Sequence, residues 1–159
     1  MMVKYRSLRA DELQALETEF VEYLILNGIM ADDWQKIKAE NREKALQIID
    51  HFSDVVFEKI LRKTRFVEVR QSKKLEIFQC LDDRFVVVGL DAVHIDGADF
   101  TSSKFVTGAM QHPPAGLEVY TAERPYKYAR EMEIFALIEN GGHLCDGALF
   151  KTLCLALAK

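Results

Sequence analysis

The hydrophobic periodicity of this chain changes character near residue 63, and that change constrains the fold more than any other feature. Ala45, Ile48, Ile49, Phe52, Val55, Val56 and Ile60 recur every three or four residues, which predicts a long helix from an Asn41 cap to about Arg62. Beyond Lys63 the pattern becomes short runs rich in β-branched and aromatic residues: 65–70 (RFVEVR), 75–81 (LEIFQCL) and 84–90 (RFVVVGL). Gln71-Ser72-Lys73-Lys74 and Asp82-Asp83 join them, and such short turn-type links predict an antiparallel meander. The Phe85–Val88 run predicts a central strand covered on both faces.

Flanking segments complete an α+β reading. Leu13, Leu16, Phe20, Tyr23 and Leu24 predict one helix from Arg9 to Asn27, with Gly28 as the residue that turns the chain out of it. Asp32 caps a short helix carrying Trp34 and Ile37. Lys104–Thr107 reads as a further strand and Leu117–Thr121 as the final one. Pro125 suits the first turn of a helix to about Glu139, Gly141-Gly142 breaks it, and a last helix spans about Asp146 to Ala158. The expected architecture is therefore N-terminal helices, a mostly antiparallel sheet of four to five strands and two C-terminal helices. No linker or repeat divides the sequence, so residues 1–159 are expected to form a single α+β domain.

At 159 residues, 49% of them hydrophobic and 29% charged, the chain can bury a sufficient core without disulfide or metal. Those values exclude a disordered, collagen-like or disulfide-stapled chain. The apolar run from Ala148 to Ala158 would span about 16 Å as a helix, too short for a bilayer core of about 30 Å. No apolar stretch of signal-peptide type follows the charged N-terminus. Three cysteines without a CxxC pair suit a reducing compartment. The expected setting is cytoplasmic.

The net charge of −4 conceals an uneven distribution. Residues 1–58 carry seven basic and twelve acidic side chains, a net of −5, and residues 75–159 carry the same balance. Between them, residues 59–74 carry Lys59, Arg62, Lys63, Arg65, Arg70, Lys73 and Lys74 against Glu68 alone, a net of +6. Such a block can hold an anion or an acidic partner. With no interleaved aromatics beyond Phe66, the favoured reading is that it serves the C-terminal end of a helix and protects an edge strand and its turn. The overall acidity and the absence of a nucleic-acid-binding motif argue against nucleic acid.

Two clusters have residue types suited to chemistry. His94, Asp96 and His112, with Asp99 nearby, could converge as a His/Asp acid–base set or a metal site, provided that His112 folds back toward the other two. A loop Asp-Gly such as Asp96-Gly97 is more often turn chemistry than catalysis. His143, Cys145 and Asp146 lie at the start of the last helix, a position that can activate a thiol, although Asp146 opposes thiolate formation. Tyr120, Tyr126 and Tyr128 gather around Pro125 and could line a pocket, an interface or a packed corner. No phosphate-binding glycine loop, HExxH, GxSxG, EF-hand or Walker pattern occurs, and no cofactor is implied. The last helix carries apolar residues on nearly every face, so it must be covered by its own domain or by another chain, which makes a homodimer through this helix an expectation.

The stretches Ala31-Asp32-Asp33-Trp34, 52–59 (FSDVVFEK), Glu123-Arg124-Pro125-Tyr126 and 130–135 (REMEIF) resemble an uncharacterised bacterial family built around a domain of unknown function. That resemblance implies a bacterial cytosolic setting and assigns no activity, cofactor or site. Two functional readings remain: a non-enzymatic binding or protein-interaction domain, or a small metal-dependent or His/Asp hydrolase centred on residues 94–112.

Overall fold

The computed structural model describes residues 3–157, which form two compact units that divide between Arg62 and Lys63. The fold is α+β, with helices at both ends and a five-stranded antiparallel sheet between them.

The first unit is helical: α1 (Ala10–Ala15), α2 (Glu17–Leu26), α3 (Ala31–Glu40) and α4 (Arg42–Lys63). Its core gathers Leu8, Phe20, Leu24, Trp34, Ala45 and Phe52. The Phe20 ring meets Trp34 edge-on at 5.2 Å and Phe52 at 5.0 Å, a geometry that suits the quadrupoles of aromatic faces and edges. An extended N-terminal segment lies along α4. The Lys4 and Tyr5 amides donate to the Asp54 carboxylate at 2.8 and 3.1 Å, and the Leu8 amide donates to Ser53 Oγ at 2.9 Å. Ser53 is fully buried, and its hydroxyl in turn donates to the Ile49 carbonyl, so both its capacities are used.

Two local expectations change here. The helix expected over Arg9–Asn27 is broken at Leu16, where φ is −106° and ψ 24°. The break carries neither proline nor glycine, and Leu13 and Leu16 both still pack on the core. The cap of α3 is Met30 rather than Asp32; Asp33, in the first turn, accepts the Met30 amide at 3.1 Å. Asn41 does cap α4, accepting the Lys44 amide at 3.2 Å, and Gly28 takes the expected left-handed turn at φ 75°.

The second unit is built on β1 (Phe66–Arg70), β2 (Lys74–Cys80), β3 (Arg84–Asp91), β4 (Glu118–Pro125) and β5 (His143–Leu144), in the order β4-β3-β2-β1-β5. Between and after them lie α5 (Ser103–Gln111), α6 (Arg130–Glu139) and α7 (Ala148–Leu157). The meander of β1 to β3 is as its sequence predicts, and β3 carries buried residues on both faces. Leu75, Ile77, Val88 and Leu90 project from one face into a core shared with Phe100, Val106, Phe150 and Leu153.

Three expectations for this unit are overturned. Lys104–Thr107 is not a strand but part of α5. Ser102 Oγ accepts the Phe105 amide at 3.3 Å, and Phe105, Val106, Ala109 and Met110 then fall at helical spacing toward the core. Pro125 does not open a helix; it ends β4 opposite Arg84, at a strand end on the sheet edge where a missing N–H is tolerated. Finally, β4 is not the last strand, because His143 and Leu144 add β5 beside Glu68 and Val67.

Candidate functional site

The segment 92–100 is fixed by its buried members. Ala98 and Phe100 enter the core, and the Phe100 amide donates to the Ser72 carbonyl at 2.9 Å. Lys73 Nζ donates to the Ile95 carbonyl at 2.8 Å. With these positions pinned, His94 and Asp96 lie on the outside and both are exposed. His112 is the residue that follows α5, also exposed, and it lines a shallow groove of about 420 Å³ with Ser102, Lys104, Phe105, Gly108, Ala109 and Pro114. Neither His94 nor Asp96 lines that groove. Among the described residues no group of three or more His, Cys, Asp or Glu side chains is placed to hold a metal ion.

Two of the three free thiols are perturbed by their surroundings. Burial pushes the Cys80 thiol up to about 11 and also raises that of Cys145, where Glu68 and Asp146 add to the effect. A thiol so held is a poor nucleophile near neutrality.

The basic block disperses along the fold. Arg62 pairs with Glu58 at 3.2 Å, Arg70 pairs with Glu68, and Lys74 Nζ lies 5.5 Å from the centre of the Tyr120 ring. Lys59, Lys63 and Arg65 stay exposed. Arg65 lines a second groove, of about 540 Å³, with Phe66, Gln79, Cys80, Leu81, Asp82 and Asp83.

Register assembles a polar cluster that the sequence did not reveal. Tyr120 on β4 is paired with Gly89 on β3, which is paired with Glu76 on β2. Paired residues share a face, so the three stand in one row across about 10 Å of sheet. Gly89 has no side chain, and the Tyr120 ring lies in the space that a Cβ there would occupy. The Tyr120 hydroxyl thereby reaches Glu76 Oε2 at 2.9 Å, and Arg124 Nη2 meets the same oxygen at 3.1 Å. Burial, and next the Glu76 carboxylate, raise the Tyr120 phenol above its ordinary value, so it stays a donor. The available signal was a glycine inside a strand run, which marks a close approach.

Tyr126 and Arg130 form a second polar anchor. The Tyr126 hydroxyl and Arg130 Nε both donate to the Leu81 carbonyl, at 2.7 and 3.2 Å. Arg130 Nη2 also donates to the carbonyls of Thr64 and Cys80. The cluster ties the start of α6 to the strand ends beneath it. The Arg130 side chain is accordingly only 9% exposed.

In the last helix Leu155 lies opposite the buried residues, whereas Leu157, four residues beyond Leu153, continues their line past the core. Phe150 and Leu153 are buried, Leu149 and Cys154 pack beside them, and Leu155 and Leu157 remain 68% and 46% exposed. A larger exposed apolar group lies on the other unit, where Val21, Ile25, Leu26 and Met30 are all exposed over one stretch of α2 and the turn after it. No helix among the described residues is long and apolar enough to cross a membrane.

The chain belongs to a family of unknown function, DUF6495, whose profile matches residues 1–158. No curated protein and no solved structure matches it.

Proposed function

We propose that this chain is a non-enzymatic protein-interaction domain that self-associates through the outer face of α7. The observation that carries this reading is exposed apolar surface on that helix: Phe150 and Leu153 complete the core, yet Leu155 on the outer face and Leu157 at the end of the helix are 68% and 46% exposed. Such side chains are favourably removed from water when a second copy covers them, by about 25 cal/mol for each Å² of apolar surface. Lys151 and Thr152 on the same outer side supply a polar border, as interfaces commonly have. Three free thiols support a cytoplasmic setting for such a protein.

Light scattering of purified protein across a wide concentration range tests the proposal. A dimer that becomes monomeric on Leu155→Glu supports it, since Leu155 is exposed and its replacement leaves the core intact. A monomer at every concentration, or a dimer that ignores Leu155→Glu, refutes it. The hydrolase reading places its chemistry at residues 94–112, where His112 borders a groove that neither His94 nor Asp96 lines. Turnover of an ester or phosphoester probe that His112→Ala abolishes would favour that reading instead.

A further inference from the structure

The α2 surface differs from α7 in one respect that identifies its partner: its charge. Between Ala10 and Gln35 the chain has seven carboxylates and no lysine or arginine. Two of the seven are neutralised locally, since Arg6 pairs with Glu12 at 2.7 Å and Arg9 with Asp11 at 3.3 Å. Asp33 is engaged by the Met30 amide. Glu17, Glu19 and Glu22 are exposed and enter no ion pair among the described residues.

Helical geometry sorts these groups into order. Residues four apart lie one above the other, so Glu17, Val21 and Ile25 form one exposed ridge, and Thr18, Glu22 and Leu26 form the ridge beside it. Phe20 and Leu24 take the opposite side into the core. The exposed face is therefore acidic at its N-terminal half and apolar at its C-terminal half, where Ile25 and Leu26 are 53% and 86% exposed. Met30, 58% exposed, extends the apolar half beyond the Gly28 turn.

We propose that this face of α2 docks a basic amphipathic helix of another protein, whose apolar side covers Val21, Ile25, Leu26 and Met30 and whose lysines or arginines meet Glu17, Glu19 and Glu22. The charge decides among occupants. A second copy would set these carboxylates against one another if the helices ran parallel, or against the copy's apolar half if they ran antiparallel, in either case without a counter-charge, and an anionic lipid surface would be repelled by them. A basic helix gains both the apolar contact and the ion pairs, which suppress wrong partners and speed encounter. This surface lies on a different unit from α7, so the proposal stands whether or not the chain self-associates.

The test is fluorescence anisotropy of the full chain with a labelled peptide of about 18 residues, leucine and lysine arranged at helical spacing, beside a scrambled peptide and a leucine–glutamate counterpart. Saturable binding of the leucine–lysine peptide is expected, weakening by about tenfold between roughly 25 and 300 mM salt as the charges are screened. Ile25→Ser with Leu26→Ser should weaken it by at least about tenfold, and Glu17→Gln with Glu22→Gln by about three- to tenfold. All four side chains are exposed, and an unchanged circular dichroism spectrum confirms that each variant is folded. Absence of saturable binding overturns the proposal. So does binding that the Ile25/Leu26 variant leaves unchanged, which is charge attraction alone, or equal binding of the scrambled or leucine–glutamate peptide. A dimer that the Ile25/Leu26 variant dissociates would assign the face to a second copy and overturn it too.

Discussion

Replacing Gly89 by alanine puts a methyl group where the Tyr120 ring lies. Gly89 does not occupy the left-handed region, so its backbone accepts alanine, and that exchange alone would gain about 0.5–1 kcal/mol by reducing chain entropy in the unfolded state. The ring must then yield. If it stays, overpacking costs about 1–3 kcal/mol. If it swings aside, the Tyr120 hydroxyl loses the Glu76 carboxylate, a hydrogen bond to a charged group worth about 1.5–3 kcal/mol. Either route outweighs the backbone gain and leaves a net loss of about 1–2 kcal/mol. In urea, followed by far-ultraviolet circular dichroism, this lowers the midpoint by about 0.5–1 M. The decisive comparison is a cycle with Tyr120→Ala. Once the ring is gone, Gly89→Ala should be neutral or stabilising. A Gly89→Ala variant as stable as the parent, or one that costs as much without Tyr120 as with it, refutes the reasoning.

Other outcomes follow from single residues. Arg130→Ala strips donors from the carbonyls of Thr64, Leu81 and Cys80, and should cost about 2–4 kcal/mol in thermal or urea unfolding, with Arg130→Lys recovering only part because one ammonium cannot reproduce the forked geometry. The Glu12 carboxyl is held down at about 2, first by the Arg6 hydrogen bond and then by the Arg9 amide. Its folded value lies below its unfolded one, so its stabilising contribution is complete above about 4.5 and is lost as pH falls from there toward about 2. Carboxyl chemical shifts should show Glu12 titrating near that low value, and rising toward the ordinary range in Arg6→Ala. With its thiol pushed up to about 11, Cys80 should react with an aromatic disulfide reagent at pH 8 only on unfolding, and a fast burst assigned to Cys80 would contradict its burial.

The parts of the fold that the sequence declared are those where one period runs long enough to be unambiguous. The stripe of α4 and the three runs of the meander are of this kind, and Asn41 and Gly28 mark ends that the structure keeps. Lys104–Thr107 covers four residues, too few to separate a period of two from one of 3.6, and the Ser102 cap settled it as helix. A two-residue strand such as β5 has no period at all; it exists because β1 offers an edge. Pro125 satisfies the rules for a helix start and for a strand end equally, and pairing with β3 decided between them. The candidate sites were less legible for a related reason. The orientation of His94 and Asp96 is imposed by where Ala98 and Phe100 are buried, and the Tyr120–Glu76 contact by the register of three strands. The exposed face of α2 was half visible, as an acidic region, while the exposure of Val21 and Ile25 depended on which side Phe20 and Leu24 chose.

The small strand β5 also sets an order of assembly. The links from β1 through β3 are short, so this hairpin pair can form early, whereas β4 waits on the connection through α5. The far side of β1 is finished only when His143 and Leu144 arrive from the other end of the unit. Until then Val67 and Glu68 present unpaired backbone groups, an open template for another chain. From the making of β1 until His143 and Leu144 are added, the growing chain therefore carries a bare sheet edge, which the residues just before α7 close.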